Sequence, residues 1–250
     1  MPGPPLTFGN TAKLYCLQLL DRVAAETNLG VCGSEPRTSD FRIVDLGCGT
    51  ASNFVELLRR RPNLRYVGVE PSPAAAEKAR RVLPDAEIIN APAYDVRVEP
   101  AHAVVSFSVL EHVVHRSRYM EAVRANVRPD GRVYLNYDSG HFVADADLVE
   151  RAKALGSRVL ALLGWESRYR ARVREDEFRT LVDGAGLRVV EDKVFNTDLK
   201  RLFPLVAEES RDAFMERWLA FELELNELGL VYRDELATLF RTRNVVLEPV

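Results

Sequence analysis

Two carboxylates and a glycine bend carry the most legible chemistry in the chain. Asp45 sits in the apolar run Ile43-Val44-Asp45-Leu46, the bend Gly47-Cys48-Gly49-Thr50 follows at once, and Glu70 lies twenty-one residues beyond Gly49. A Gly-x-Gly bend between a strand and a helix lets a ligand approach bare backbone, and the helix start offers amide N–H groups and a positive field. An acid two residues before the first glycine is placed to receive an ammonium group. An acid at the end of the next strand is placed to accept two hydrogen bonds from ribose hydroxyls. A nucleoside with a positively charged amino-acid tail would satisfy both. A dinucleotide would use the same second acid, but its fingerprint asks for a third glycine where this chain has Ser52.

Those residues need a strand, a turn, a helix and a second strand to position them. Ile43, Val44 and Leu46 predict a buried parallel strand within 41–46. Thr50 or Ser52 can cap the helix that follows, Phe54, Leu57 and Leu58 mark its buried side, and Pro62 stops it. Leu64 to Glu70 predicts the second strand, and Pro73 opens an alanine-rich helix to about Leu83. Further strands are expected at Ala86–Asn90, Ala103–Phe107 and Arg132–Asn136, with a helix over Arg118–Val127 and a turn at Arg128-Pro129-Asp130-Gly131. His102 is expected on the surface.

Val44-Asp45-Leu46-Gly47-Cys48-Gly49-Thr50, the acid Glu70 and the later Ser108-Val109-Leu110-Glu111-His112-Val113 together resemble the class I S-adenosylmethionine-dependent methyltransferases, most closely their small-molecule group. The resemblance spans roughly residues 41 to 196. It implies an α/β fold, a doubly wound seven-stranded and mostly parallel sheet with helical cap insertions. It implies S-adenosylmethionine as cofactor, held by Asp45, Gly47, Cys48, Gly49, Glu70 and Pro71, with Ser106 at the end of the fourth strand. Ala91 occupies the place where many relatives carry an acid for the adenine amino group, so adenine contacts here would come from backbone. A helix over Thr11–Thr27 would lie across the cofactor, with Tyr15 directed at the methionine tail.

The same resemblance puts the Ser108–Val113 loop beneath the cofactor's sulfur and beside the acceptor. There His112 would orient or deprotonate an acceptor, histidine being the side chain that changes charge near neutrality. His141, with Asp138 after the fifth strand, is a second catalytic candidate. The implied activity is methyl transfer to an O, N or C nucleophile of a small molecule. The alternatives are a protein that binds S-adenosylmethionine without catalysis, an NAD-dependent oxidoreductase and an RNA methyltransferase.

The rest of the chain is read as an arm and helix over residues 1–40 and a methyltransferase domain over 41–250, with helical insertions at about 143–165 and 199–240. Leu148, Ala152, Leu155, Val159 and Leu162 form one apolar helical face, and Phe214, Trp218, Phe221, Leu225 and Leu228 form another, opposite Glu216, Glu222, Glu224 and Glu227. These faces would serve as lid, dimer contact or plain core. Arg168, Arg170, Arg172 and Arg174 would share one side of an extended segment and could grip an anionic acceptor. Glu175–Ala185 predicts a helix and Leu187–Phe195 a strand. The apolar run Asn244–Leu247 predicts a last strand inserted antiparallel.

Bulk composition narrows the partners. Across 250 residues the chain is 47% hydrophobic and 28% charged with a net charge of −3, which offers no broad basic field for nucleic acid or an anionic membrane. Cys16, Cys32 and Cys48 cannot all pair and show no metal spacing. With no apolar signal core after Met1-Pro2-Gly3-Pro4-Pro5 and no membrane-length run, the expectation is a cytoplasmic protein acting on a small molecule and leaving room for a homodimer.

Overall fold

The computed structural model describes residues 6–28, 41–139, 169, 171–196, 202–236 and 239–250. In chain order the elements are α1 (Thr11–Asn28), β1 (Arg42–Leu46), α2 (Val55–Arg60), β2 (Arg65–Val69), α3 (Pro73–Val82), β3 (Glu87–Ile89), β4 (Ala101–Phe107), α4 (Arg116–Asn126), β5 (Val127–Asp138), α5 (Glu175–Gly184), β6 (Leu187–Asn196), α6 (Arg211–Glu227) and β7 (Phe240–Pro249). The sheet has seven strands in the order β3-β2-β1-β4-β5-β7-β6. Strands β1 to β5 pair in parallel, and β7 runs antiparallel to both of its neighbours, β5 and β6. The expected α/β architecture and the antiparallel last strand are therefore present.

Strand order reverses between β1 and β4. In an open parallel sheet the crevice at such a reversal, beyond the carboxyl ends of the strands, is where ligands bind. Asp45 and the glycine bend leave β1 there, and Ser108 leaves β4 beside them. Both faces of the sheet are covered, as the apolar strands require. Successive strand residues point to opposite faces. Ile43 and Val105 pack with α1, α2, α3 and α6 through Leu17, Leu57, Ala79 and Met215, while Val44 and Val104 pack with α4 and α5 through Tyr119, Met120, Phe178 and Val182.

Several local expectations change. Neither Thr50 nor Ser52 caps a helix: Ala51 adopts a left-handed conformation (φ 55°), Ser52–Phe54 forms a 3₁₀ turn, and α2 begins only at Val55. The Arg128–Gly131 turn is absorbed into β5, which pairs with β4 from Val127 onward through a register shift between Ala101 and Ala103. Gly131 permits that shift, because a β-carbon there would stand 2.8 Å from Ala101 O. His102, expected on the surface, is half-buried. Its ring stacks on Phe41 at 5.0 Å, Arg42 N–H donates to its Nδ1 at 3.1 Å, and burial together with Arg128 pushes its pKa down.

The apolar stripe expected on α6 is displaced by one position. Phe221 and Leu228 are 49% and 64% exposed, whereas Met215, Leu219, Glu222 and Asn226 form the buried side. The reason is the open edge of β6, whose outward peptide groups need partners. Asn226 bonds Val194 N–H and Val194 C=O, both at 2.8 Å, and Glu222 accepts from Asn196 N–H at 2.7 Å. A polar edge has taken the face that periodicity assigned to hydrophobic groups. The stripe from Leu148 to Leu162, His141, Arg168 and Arg170 lie outside the described residues. Arg172 and Arg174 are exposed, and Arg174 pairs with Asp176 at 2.7 Å, so this half of the proposed anion grip faces solvent. Among the described residues no helix is long and apolar enough to cross a membrane.

Candidate active site

The glycine bend folds back across β2. Gly47 and Cys48 N–H both donate to Val69 O, at 2.8 and 3.0 Å, which brings the end of β2 against the bend. Glu70 then sits beneath it. Gly49 N–H donates to Glu70 Oε2 and Ser72 N–H to Oε1, each at 2.9 Å. Asn90 holds the backbone of the same turn through Glu70 O at 2.8 Å and Pro71 O at 3.1 Å. The two glycines do different work. Gly47 has φ +87°, and a β-carbon there would lie 2.5 Å from Val109 Cγ2, so the loop after β4 can rest on the bend only because position 47 lacks one. Gly49 has φ +58° and, among the described residues, nothing within 4 Å of its missing β-carbon. That side of the bend is open to a ligand.

Asp45 is 2% exposed and receives Tyr66 Oη–H at 2.8 Å on Oδ2. Its Oδ1 is buried with no hydrogen-bond partner among the described residues. Burial pushes the Asp45 pKa up to about 7, opposed by the Tyr66 hydrogen bond and the charge of Lys13 and reinforced by Glu70. A buried carboxyl oxygen without a donor is costly, and an ammonium group supplies what it lacks. Glu70 keeps lone pairs beyond those used by Gly49 and Ser72, enough for a diol. The residues present therefore fit an ammonium-tailed nucleoside.

The loop after β4 is braced from three directions. Ser108 takes a left-handed φ of 58°, costly for a residue with a side chain. It is held there by its N–H to Asn136 O at 2.7 Å and its Oγ to Asn136 Oδ1 at 3.2 Å. Asn136 passes the connection to Asn244 on β7, which donates to Ala12 O on α1. Arg116, 8% exposed, binds Leu110 O (3.2 Å), Ala171 O (2.6 Å), Arg172 O (3.1 Å) and Glu177 Oε1 (2.6 Å), clamping the loop to the segment before α5. Glu111, 3% exposed, has an Oε2 with no partner among the described residues, and burial pushes its pKa up to about 7.

His112 is half-buried, with Nδ1 2.9 Å from Tyr169 O. A carbonyl only accepts, so a neutral His112 carries its proton on Nδ1 and leaves Nε2 as an acceptor. Tyr15 takes a packing role in place of the methionine-tail contact expected of it: its hydroxyl donates to Glu191 Oε1 at 2.6 Å and its ring packs on Phe195 at 5.5 Å, both on β6. Ser106 is likewise turned inward. Its Oγ pairs with Tyr119 Oη at 2.7 Å, and Tyr119 donates on to Leu46 O at 3.1 Å, so the serine ties β4 to β1 through α4.

Cys48 is 5% exposed, and its Sγ fills the space left by Gly68, where a β-carbon would lie 2.8 Å away. Burial pushes its thiol pKa up. Pro71 is exposed, and Ala91 packs against the α4 side of the core. Asp95, the nearest acid after Ala91, pairs with Arg118 at 2.7 Å. Among the described residues no cluster of three His, Cys, Asp or Glu side chains could hold a metal. A groove of about 1030 Å³ lies at the other end of the sheet, lined by Arg42, Arg65 and Glu87 at the starts of β1, β2 and β3.

Sequence reading missed Tyr66, Asn136, Asn244 and Lys13. The three from strands look like ordinary strand residues, and only the pairing of β1 with β2 and of β5 with β7 reveals their roles.

A reversed strand order, an acid-flanked glycine bend and a braced loop after β4 define the fold and site of a class I S-adenosylmethionine-dependent methyltransferase. The profile of the family described as "Methyltransferase domain" matches residues 10–192, more than half of the chain, and the chain belongs to that family. Among curated relatives, a trans-aconitate 2-methyltransferase of Azoarcus sp. (strain BH72) is 24% identical over 71% of this chain and 76% of its own length. Another of Enterobacter sp. (strain 638) is 44% identical over 41% of this chain, a match spanning 35% of that protein. Among solved structures, the cyclopropane synthase MmaA2 from Mycobacterium tuberculosis aligns over 92% of this chain and 83% of its own, with a TM-score of 0.56 and 14% identity. The O-methyltransferase of a Brevibacillus brevis trans-AT polyketide synthase multienzyme, in complex with S-adenosyl-L-homocysteine, aligns over 95% and 75%, with a TM-score of 0.51 and 12% identity.

Proposed function

We propose that the chain transfers the methyl group of S-adenosylmethionine to an oxygen of a small carboxylate-bearing acceptor. The cofactor half rests on one observation above all: among the described residues, Asp45, with a buried oxygen that has no donor, and Glu70 flank a bend whose Gly49 side is open. When bound, the sulfonium nucleoside supplies an electrophilic methyl group. Asp45 would receive its ammonium and Glu70 its ribose hydroxyls. The braced loop Ser108–His112 would hold the acceptor in line and exclude water, which is most of what this reaction asks of a protein.

The acceptor half is supported by the relatives named for trans-aconitate, a tricarboxylate. A carboxylate is ionised near neutrality and attacks without a base. Turnover of S-adenosylmethionine with trans-aconitate, read by mass spectrometry of the methyl ester, tests this. A chain that binds S-adenosylhomocysteine yet methylates only alcohols, phenols or amines would overturn it. That second reading is favoured by His112, whose fixed Nδ1–H leaves Nε2 suited to take a proton from such an acceptor.

A further inference from the structure

Lys13 stands outside every motif in the chain, yet the fold aims it at the site. The first turn of α1 is pinned on several sides. Thr11 Oγ1 donates to Glu222 on α6, Ala12 O accepts from Asn244 on β7, and Lys13 N–H donates to Asn10 Oδ1 at 3.0 Å. Tyr15, two positions along, is committed to β6. Residues two apart on an α-helix project about 200° apart. Lys13 therefore leaves the helix away from β6 and toward the carboxyl ends of β1 and β4, with its Nζ 6.0 Å from the centre of the Phe107 ring.

Its charge reaches both Asp45 and Glu111, favouring the ionised form of each. Among the described residues, each of those acids keeps one buried oxygen without a partner. The surroundings are otherwise acidic, with Glu70 acting on Asp45 and Asp138 on Glu111. An ammonium is welcome in such a place and a carboxylate is repelled, unless a cation stands by to receive it. The amino-acid head of a sulfonium nucleoside brings both charges at once, and a carboxylate acceptor brings a further negative one.

We propose that Lys13 receives a ligand carboxylate at the carboxyl end of the sheet, opposite the ammonium held by Asp45. This rests on the methyltransferase reading and names a residue that the reading does not require. The carboxylate belongs either to the cofactor's methionine tail or to the acceptor, and the test separates the two.

Calorimetry is run at about pH 8.5, to keep Asp45 ionised with or without the Lys13 charge, on the full chain and on Lys13→Gln and Lys13→Arg, with S-adenosylhomocysteine and with 5′-methylthioadenosine, which keeps the nucleoside and thioether but lacks the amino acid. If the tail is the source, Lys13→Gln weakens S-adenosylhomocysteine about tenfold or more, leaves 5′-methylthioadenosine unchanged, and Lys13→Arg restores most of the loss. If the acceptor is the source, both nucleosides bind as before and trans-aconitate binds the S-adenosylhomocysteine complex about tenfold more weakly. Unchanged affinity in both arms overturns the proposal, as does an equal loss for both nucleosides, which would mark a general disturbance of the bend. A wild-type chain that binds neither nucleoside would instead overturn the methyltransferase reading itself, and this proposal with it.

Discussion

The Tyr66 hydroxyl donates to Asp45 Oδ2 at 2.8 Å, diagonally across the β1–β2 pair and wholly inside the protein. The residue directly opposite Asp45 is Gly68, and its missing side chain makes the room that Tyr66 and Cys48 share. The strand that leads into Glu70 thus also holds Asp45 of its neighbour. Tyr66→Phe should leave Asp45 without a side-chain donor and cost about 1–3 kcal/mol of stability in urea unfolding. It should also weaken S-adenosylhomocysteine most at low pH, because losing the hydrogen bond raises the Asp45 pKa further. Equal weakening at pH 6 and pH 8 would contradict this.

Protonation of Asp45 should oppose cofactor binding. Its folded pKa of about 7 lies above the ordinary 3.8, so its contribution to stability is full below pH 4 and is lost as pH rises through 7. Binding runs the other way, because an ammonium needs the ionised acid. Affinity for S-adenosylhomocysteine should rise from pH 6 to pH 8, with proton release visible in calorimetry across buffers of different ionisation enthalpy. The groups facing Asp45 are Tyr66, Lys13 and Glu70. Asp45→Asn should abolish the proton release and most of the pH dependence.

The two glycines of the bend should separate stability from binding. Gly47→Ala forces a β-carbon into Val109 at φ +87° and should destabilise the fold well beyond the roughly 1–2 kcal/mol of left-handed strain. Adding Val109→Ala should recover the steric part and leave the strain. Gly49→Ala meets no neighbour and should cost only about 1 kcal/mol of stability, yet weaken S-adenosylhomocysteine because its methyl group enters ligand space. Chemical unfolding beside calorimetry reads both effects.

His112 decides between the two acceptor classes. If the acceptor is a carboxylate, His112→Gln should leave kcat within a few-fold of wild type, since there is no proton to remove. If it is a hydroxyl or amine, kcat should fall by roughly 10²–10⁴ with S-adenosylhomocysteine affinity unchanged. Single-turnover rates measured with matched acceptors distinguish the cases.

Glu222 is 0% exposed and bridges Thr11 on α1 to Asn196 on β6. Glu222→Ala strands both donors and should cost roughly 3 kcal/mol or more. Burial raises the Glu222 pKa to about 7, so its contribution is full below about pH 4.5 and is lost as pH climbs through 7. Glu222→Gln should therefore flatten the fall in melting temperature between pH 5 and pH 8. A slope as steep as wild type would sink this account.

Much of the fold and of the candidate site is legible in the sequence. Strong apolar runs and an acid–glycine–glycine spacing are local signals, and they placed β1, β2, the bend and Glu70 correctly. What sequence hid was decided across strands. Nothing local says that Tyr66 will meet Asp45, because that depends on register. Nothing local says that Glu222 and Asn226 will face inward, because that depends on the unpaired edge of β6. Tyr15 and Lys13 sit two apart on one helix, and only the docking of α1 tells which of them meets the site.

The Ser108–Asn136–Asn244–Ala12 relay ties the loop after β4 to a helix start and a final strand 232 positions apart. Contacts so distant in sequence close late, since the entropy of a large loop is spent before any bond rewards it. The glycine bend needs only β1 and β2, whereas the brace on the loop after β4 needs the 240s segment in place between β5 and β6. Shortening that segment should strip β6 of its strand partner and release the brace on the loop after β4.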